Sequence, residues 1–543
     1  MRLRPRPVRP PRADWVQPGG SGRWTTVGNL DSPERALVDP AGLVAIAGRT
    51  WSLDWWIGAE DRWHVPAREV AVRQALLGDS PVVETRVRVP SGDAVHRVYG
   101  ARGVAGEDVI VVEVHNDTKV PFAVALAVRP YDLGGIGGIG TLTLEGTTVT
   151  VDGVPALGLP RSPGRMALRS GEEGDAAVAV FAGEAEPVGS ATVRDPGRLA
   201  NGALLFPLAH TATLRVVLPM AAGSLVDPSH LPGADQVASG WGVHARGATR
   251  FELPNRRLRE AIRASIRYLL LATGDPRVAP ALDLMGLAED AAALLLTDPV
   301  ALARTDRPGE ALHALGQHWQ LTRDADAAKA SAPIVAALVR RLDRPGGDAD
   351  RQRGRRALPS VADLLDGAGE ARGAADVRAL LASTPQPAPE ESIDLEALLR
   401  SASPTWTWPS GAVGHDLSRN AELLAAVRHL LVQEVAGGLA LSPVVPEAWL
   451  GQGWEVHGAP TAEGRLSYAV RWHGERPALL WELDAHDDRP PARLTAPGLD
   501  PVWSTTEPRG EVLLAPVPVP ERTTPRRGVS IPVTIEPMPR SAS

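Results

Sequence analysis

The sequence predicts a multidomain α+β chain: an antiparallel β-sandwich, a module of helical hairpins, then a small C-terminal β module. Two changes of periodicity and one compositional contrast carry that prediction. Up to about residue 218, short apolar stretches are broken by Gly, Pro, Asp and Asn. From about 255 to 435 the chain is rich in Ala and Leu at helical spacing, and from about 439 it returns to alternating strands that carry Trp. Of 15 tryptophans, only Trp319 falls between residues 255 and 400. Strand runs, then helix runs, then strand runs fit separate layers better than a mixed α/β sheet.

The N-terminal string MRLRPRPVRPPRADW has arginines but no apolar stretch behind them, so residues 1–14 read as a disordered basic tail and not a secretory signal. Residues 15–219 form the expected sandwich. VETRVRV at 83–89 alternates apolar and charged residues, as a half-buried strand does. VIVVEV at 109–114 is more continuously apolar and belongs deeper. Further strands are expected at 122–128, 142–151, 177–181 and 211–218, and this many short strands implies a large sandwich. The five glycines between 134 and 140 lack the Lys-Ser/Thr of a P-loop and open no helix, so they read as a loop.

Residues 220–254 are rich in Gly, Ser, Pro and His and read as a linker. The helical module, 255–437, starts with Asn255 as a cap. Helices are expected at 256–269, 282–296, 309–321, 325–342, 361–365, 374–381, 395–399 and 419–435, joined by short Asp/Arg/Gly turns into antiparallel hairpins. The charged stretch 343–356 reads as an exposed excursion. The C-terminal β module covers 438–535, with strands near 454–457, 465–472, 478–483, 512–514 and 529–535. Residues 536–543 read as a frayed tail.

Bulk properties narrow the function classes. The chain has 543 residues, 44% of them hydrophobic and 22% charged, with a net charge of −7, which argues against a general nucleic-acid binder. No stretch approaches the ~20 apolar residues of a membrane-spanning helix. With no Cys there is no disulfide, thiol chemistry or cysteine metal site, which fits a cytoplasmic protein. Lysine occurs only at Lys119 and Lys329, a skew that codon bias in a GC-rich genome explains.

Three strings stand out: WSLDWWIGAEDRWH at 51–64, RPGEALHALGQHWQLTRD at 307–324 and TWTWPSGAVGHD at 405–416. Together with the module order they resemble the six-hairpin glycosidases, which place a β-sandwich ahead of an (α/α)6 toroid with the substrate pocket at the toroid's end. The second string resembles one hairpin of such a toroid, and the third the aromatic loop before its last hairpin. The resemblance implies a glycan ligand, no cofactor and no metal. The chain departs from the pattern in two ways. About eight helices are recognisable where a complete toroid needs twelve, and Ser410 follows Trp-Pro where related sequences often have Glu. A shortened toroid is therefore expected, either as a hydrolase or as a non-catalytic carbohydrate-binding or scaffolding protein.

Inverting glycoside hydrolysis needs two carboxyls about 6.5–9.5 Å apart, one of them protonated. Glu310, in the first turn of its helix, is the candidate acid; the alternative is that it complements the helix dipole. Asp416 is the candidate second carboxyl, or else an N-cap. Trp406 and Trp408 with His415, and Trp319 on the 309–321 helix, are candidate sugar-binding residues, or else packing. In the 51–64 string, Trp55, Trp56 and Trp63 are expected either to reach across the toroid's mouth or to plug a domain junction. Glu289 and Asp290, adjacent on one helix, point apart and form no pair. His313 and His318 are five apart rather than four, so no metal motif is present, and no GxSxG elbow appears.

Overall fold

The computed structural model describes residues 15, 23–221, 225–272, 275–342, 347–383, 393–409 and 414–518. The tail at 1–14, the strand expected at 529–535, the frayed end at 536–543 and Ser410 lie outside the described residues.

An antiparallel β-sandwich, a helical region and a small β module follow one another in the expected order. The sandwich has two nine-stranded sheets. One carries Ser52–Gly58 paired with Phe122–Arg129, which pairs in turn with Asn201–Leu208. The other runs through Val83–Val89, Gly92–Arg102, Asp108–Thr118 and Thr213–Pro219. Alternation along Val83–Val89 buries Val83, Val87 and Val89 against Trp51, Trp55 and Ile57 of the facing sheet, as period-two patterning requires.

One expected strand is a helix. Residues 177–181 lie in α1 (Ala176–Phe181), whose N-cap Asp175 accepts a bond from the Ala177 amide. A short apolar run is ambiguous by periodicity, and the cap together with alanine's poor strand propensity decides it. In the connection after the sandwich, α2 (Ala234–His244) forms, and Arg250–Glu252 adds as a strand to the C-terminal module beside Trp454–Thr461.

The helical region contains α3 (Arg256–Leu270), α4 (Ala279–Leu284), α5 (Ala288–Leu296), α6 (Pro299–Ala303), α7 (Pro308–Thr322), α8 (Ala325–Val339), α9 (Asp348–Gly367), α10 (Ala371–Ser383), α11 (Leu395–Ser401) and α12 (Leu417–Leu431). Asn255 caps α3 through the Leu258 amide, as expected. The helix expected at 282–296 is split at Gly286, whose φ of 78° only glycine adopts without strain. Of the excursion expected at 343–356, residues 343–346 lie outside the described residues, and from Asp348 the stretch is instead the first half of α9. Pro359 inside that helix removes one ladder bond and hides the continuity from a sequence reading, while packing on α7 holds both halves.

The first and last long helices, α3 and α12, pack together, and α12 also meets α4, which meets α7. Among the described residues, the C-terminal module has a five-stranded and a four-stranded sheet. Its Trp454, Val456, Tyr468 and Leu479 share one hydrophobic core with Leu424, Val427 and Leu431 of α12. Among the described residues, no helix is long and apolar enough to cross a membrane.

At the α7–α9 seam the two backbones approach closely. A Cβ on Gly309 would stand 1.8 Å from the Asp350 carbonyl oxygen, and one on Gly354 would stand 2.8 Å from the Gly309 Cα. Across the same seam the Asp350 carboxylate accepts the amides of Gly309 (3.0 Å) and Glu310 (2.8 Å), capping α7 from outside its own sequence. Replacing a helical glycine by alanine normally stabilises by about 0.5–1 kcal/mol. Gly309→Ala is expected to destabilise by about 1–3 kcal/mol instead, because the backbone it meets cannot move aside cheaply. Urea unfolding checks this, and an unchanged or higher midpoint would mean that the two helices do not approach in this way.

Candidate ligand site

Glu310 owes its position to the seam just described. It sits at the N-terminus of α7, with Oε1 3.0 Å from Arg307 and 3.7 Å from Arg353, while Oε2 is buried without a hydrogen-bond partner among the described residues. It lines an open cavity of about 270 Å3 with Asp275, Arg277, Asp306 and Arg307. Asp275 caps the turn Pro276–Val278 and holds Arg277 by two bonds, Nε to Oδ1 at 2.8 Å and a terminal nitrogen to Oδ2 at 2.7 Å. The Arg277 pKa is raised, first by the Asp275 bond and also by the charges of Glu310 and Asp416, with its partial burial opposing. The two carboxylates singled out from the sequence therefore both act on one half-exposed arginine.

Asp416 has a structural occupation as well. Its Oδ1 accepts the Ser418 amide (3.1 Å) and hydroxyl (2.5 Å) as the N-cap of α12, and its own amide donates to the Trp408 carbonyl. The loop before it is folded inward. Trp406 and Trp408 are 8% and 5% exposed, and Trp408 Nε1 donates to the Leu398 carbonyl and the Ser401 hydroxyl, each at 3.2 Å. Trp406 holds φ at 60°, a left-handed conformation costly for a bulky residue, which its packing in the helical core maintains.

His415 is a structural link. Asn420 donates its amide hydrogens to the Ser265 hydroxyl (2.9 Å) and the Trp406 carbonyl (3.1 Å), leaving Oδ1 to accept from His415 Nε2 at 2.7 Å. Nε2 thus carries the proton, and Nδ1 accepts from the Thr26 hydroxyl of the sandwich at 3.2 Å. Nearby, the Thr405 hydroxyl bonds that of Thr25 (2.7 Å), and the Tyr268 hydroxyl donates to the Thr405 carbonyl (2.8 Å). Loss of hydration pushes the His415 pKa down to about 4, with the Asn420 bond and the Asp416 charge opposing.

The remaining sequence candidates lie elsewhere. Trp55 and Trp56 are 1% and 0% exposed on the central strand Ser52–Gly58, Trp55 stacked on His96 and Trp56 donating to Asp54. They pack within the sandwich, neither roofing the helices nor plugging a junction. Trp63 is half-buried and lies against Phe181 of α1. The part of the sandwich bonded to the 403–416 loop is the strand Thr25–Val27. Trp319 is buried against Gly367, nine residues along α7 from Glu310 and so about 14 Å down its axis. No tryptophan lines the cavity.

Asp275, Arg277, Asp306 and Arg307 were not singled out from the sequence. Their signal is two short connections, GDPR and TDRP, each placing Asp and Arg within two residues of a Pro at a helix start. Another unanticipated pair is His318 Nδ1 with Asp283 Oδ1, 2.8 Å apart and buried between α7 and α4; burial raises the Asp283 pKa and His318 opposes it. It does not line the cavity beside Glu310, and among the described residues no three His, Asp or Glu side chains group to hold a metal ion.

No protein-family profile matches the chain, and no curated protein does. Solved structures to which it is similar include a candidate kojibiose phosphorylase from the human microbiome, at 8% identity and a TM-score of 0.45 over 90% of this chain and 96% of that one. A GH78 family rhamnosidase of Bacillus sp. GL1 matches at 11% identity and a TM-score of 0.35, over 69% of this chain and 53% of that one. A family GH92 α-mannosidase from Bacteroides thetaiotaomicron matches at 9% identity and a TM-score of 0.31, over 66% and 62%. The chemistry of the cavity rests on the residues that line it.

The His415 contacts give an expected pH dependence. Its folded pKa of about 4 lies below the unfolded value of 6.5, so the unfolded chain takes up a proton first as pH falls. Stability from this group is full above about pH 6.5 and declines toward pH 4, by at most about 3 kcal/mol. His96, with a pKa pushed down by burial to about 3, adds the same sign, and Asp39, raised by burial to about 7, adds the opposite one. The comparison is therefore between the native chain and His415→Gln, whose unfolding free energy should fall less between pH 6.5 and 4. Parallel profiles would sink the assignment.

Proposed function

We propose that this chain is a carbohydrate-binding protein of glycosidase-like architecture, holding a neutral sugar in the cavity beside Glu310 without hydrolysing it. The observation that carries this reading is the mixed lining of that cavity. Asp275, Asp306 and Glu310 face Arg277 and Arg307, so acceptors and forked donors alternate around a space of small net charge. Such a surface suits a ligand dense in hydroxyls, each both donor and acceptor, better than one of strong charge. The volume of about 270 Å3 lies near the lower end of ordinary ligand pockets, which fits one terminal sugar unit more readily than a long chain.

Binding is favoured over hydrolysis because arginines hold Glu310 through Oε1 and Asp416 caps a helix outside the cavity lining. The tryptophans that would grip a sugar ring during distortion lie elsewhere, none of them in the cavity lining. Held by hydrogen bonds alone, the sugar is oriented but not strained.

A glycan array followed by calorimetry on its best ligand, with reducing-sugar release measured in parallel, tests this. Saturable binding without release is expected, weakened about tenfold or more in Glu310→Gln or Arg277→Ala, since a hydrogen bond to a charged group contributes about 1.5–3 kcal/mol. Release lost in Glu310→Gln would replace the binding reading with the hydrolytic one. No glycan binding at all would overturn both.

A further inference from the structure

A second cavity, of about 410 Å3, opens where the connection after the sandwich meets α3, and its lining is of a different kind. Five arginines border it: Arg246 from the turn Ala245–Gly247, Arg250 from the strand Arg250–Glu252, and Arg259, Arg263 and Arg267 from α3. The last three are spaced by four residues, so they form one stripe along the helix, where like charges repel by a few tenths of a kcal/mol per pair. Glu252 is the one carboxylate of the lining, 3.5 Å from Arg250. Asp79, just outside, takes Arg263 at 2.7 Å, and its backbone carbonyl accepts from Arg267 at 2.7 Å. Across the β pairing, Glu455 is occupied by His457 and Arg471.

Arg267 and Arg246 are the least satisfied of the five arginines. Arg267 is 7% exposed and its Nε has no hydrogen-bond partner among the described residues, the situation that a buried donor tolerates least. Arg246 is exposed and has no partner among the described residues. Burial lowers the Arg267 pKa, Asp79 opposes this and the nearby charge of Arg263 adds to it, so a further anion at this place would relieve a real electrostatic cost.

We propose that this arginine-lined cavity is a binding site for a small molecule carrying a diphosphate group. Guanidinium forks match the oxygens of a phosphate two at a time, and five of them exceed what one phosphate can use. The volume leaves space for a diphosphate and part of the group attached to it. The site is separate from the sugar cavity: the two share no lining residue.

Calorimetry of the full chain with inorganic pyrophosphate, against inorganic phosphate and sulfate, tests the proposal. Saturable pyrophosphate binding is expected, at least tenfold tighter than for either single anion, weakened by 0.5 M salt at the order of magnitude set by charge screening, and reduced at least tenfold in Arg263→Met and in Arg246→Ala. Arg246→Ala removes an exposed side chain without partners, so it keeps the test valid if other variants unfold. Equal affinity for sulfate, no saturable binding, or binding indifferent to both variants would overturn the assignment, the last by locating the anion elsewhere on the chain.

Discussion

The contacts around Asn420 hold three parts of the molecule in one arrangement. Asn420 on α12 bonds Ser265 on α3 and the backbone of Trp406, and through His415 it reaches Thr26 in the sandwich. Each bond contributes a modest net amount, about 0.5–1.5 kcal/mol, but removing one partner strands a buried polar group at about 1–3 kcal/mol. Such a network therefore fixes one arrangement, because breaking any member costs more than its own bond adds. It joins the first and last long helices of the helical region and sets the sandwich against them.

That arrangement explains why residues that look functional in isolation have structural occupations. Residues 403–409 and 414–416 supply aromatic rings and polar side chains to a junction between modules, and their bonds are made inward. The side chains left facing open space come from shorter connections, 275–277 and 305–307, and from the first turn of α7. The seam of Gly309 and Gly354 then matters for the site as well as for packing. It brings Asp350 onto the amides of Gly309 and Glu310, and so fixes where the Glu310 carboxylate begins.

The two cavities differ in charge more than in size. One alternates carboxylates with arginines; the other sets five arginines against a single lining carboxylate. A mixed lining orients a neutral ligand through directional bonds, whereas a cationic lining selects by charge. The abundance of arginine over lysine sharpens both, because a planar fork positions two bonds where an ammonium offers a point charge. Charges spread over 543 residues give a net of −7 and conceal these local contrasts.

By itself the sequence determined the order of modules and most elements within them, because hydrophobic period is a local property. The alternation in 83–89 and the 3.6-residue spacing in 308–322 each follow from which side chains share one face. It also marked Glu310, through its place in a first helical turn. Tertiary structure alone decided what faces solvent. Trp55 and Trp56 look like ligand-gripping residues until strand pairing places them at the centre of a sheet. The stripe of Arg259, Arg263 and Arg267 becomes a cavity wall only when Arg246 and Arg250 are folded opposite it. Exposure is a relation between distant segments, and no local pattern encodes it.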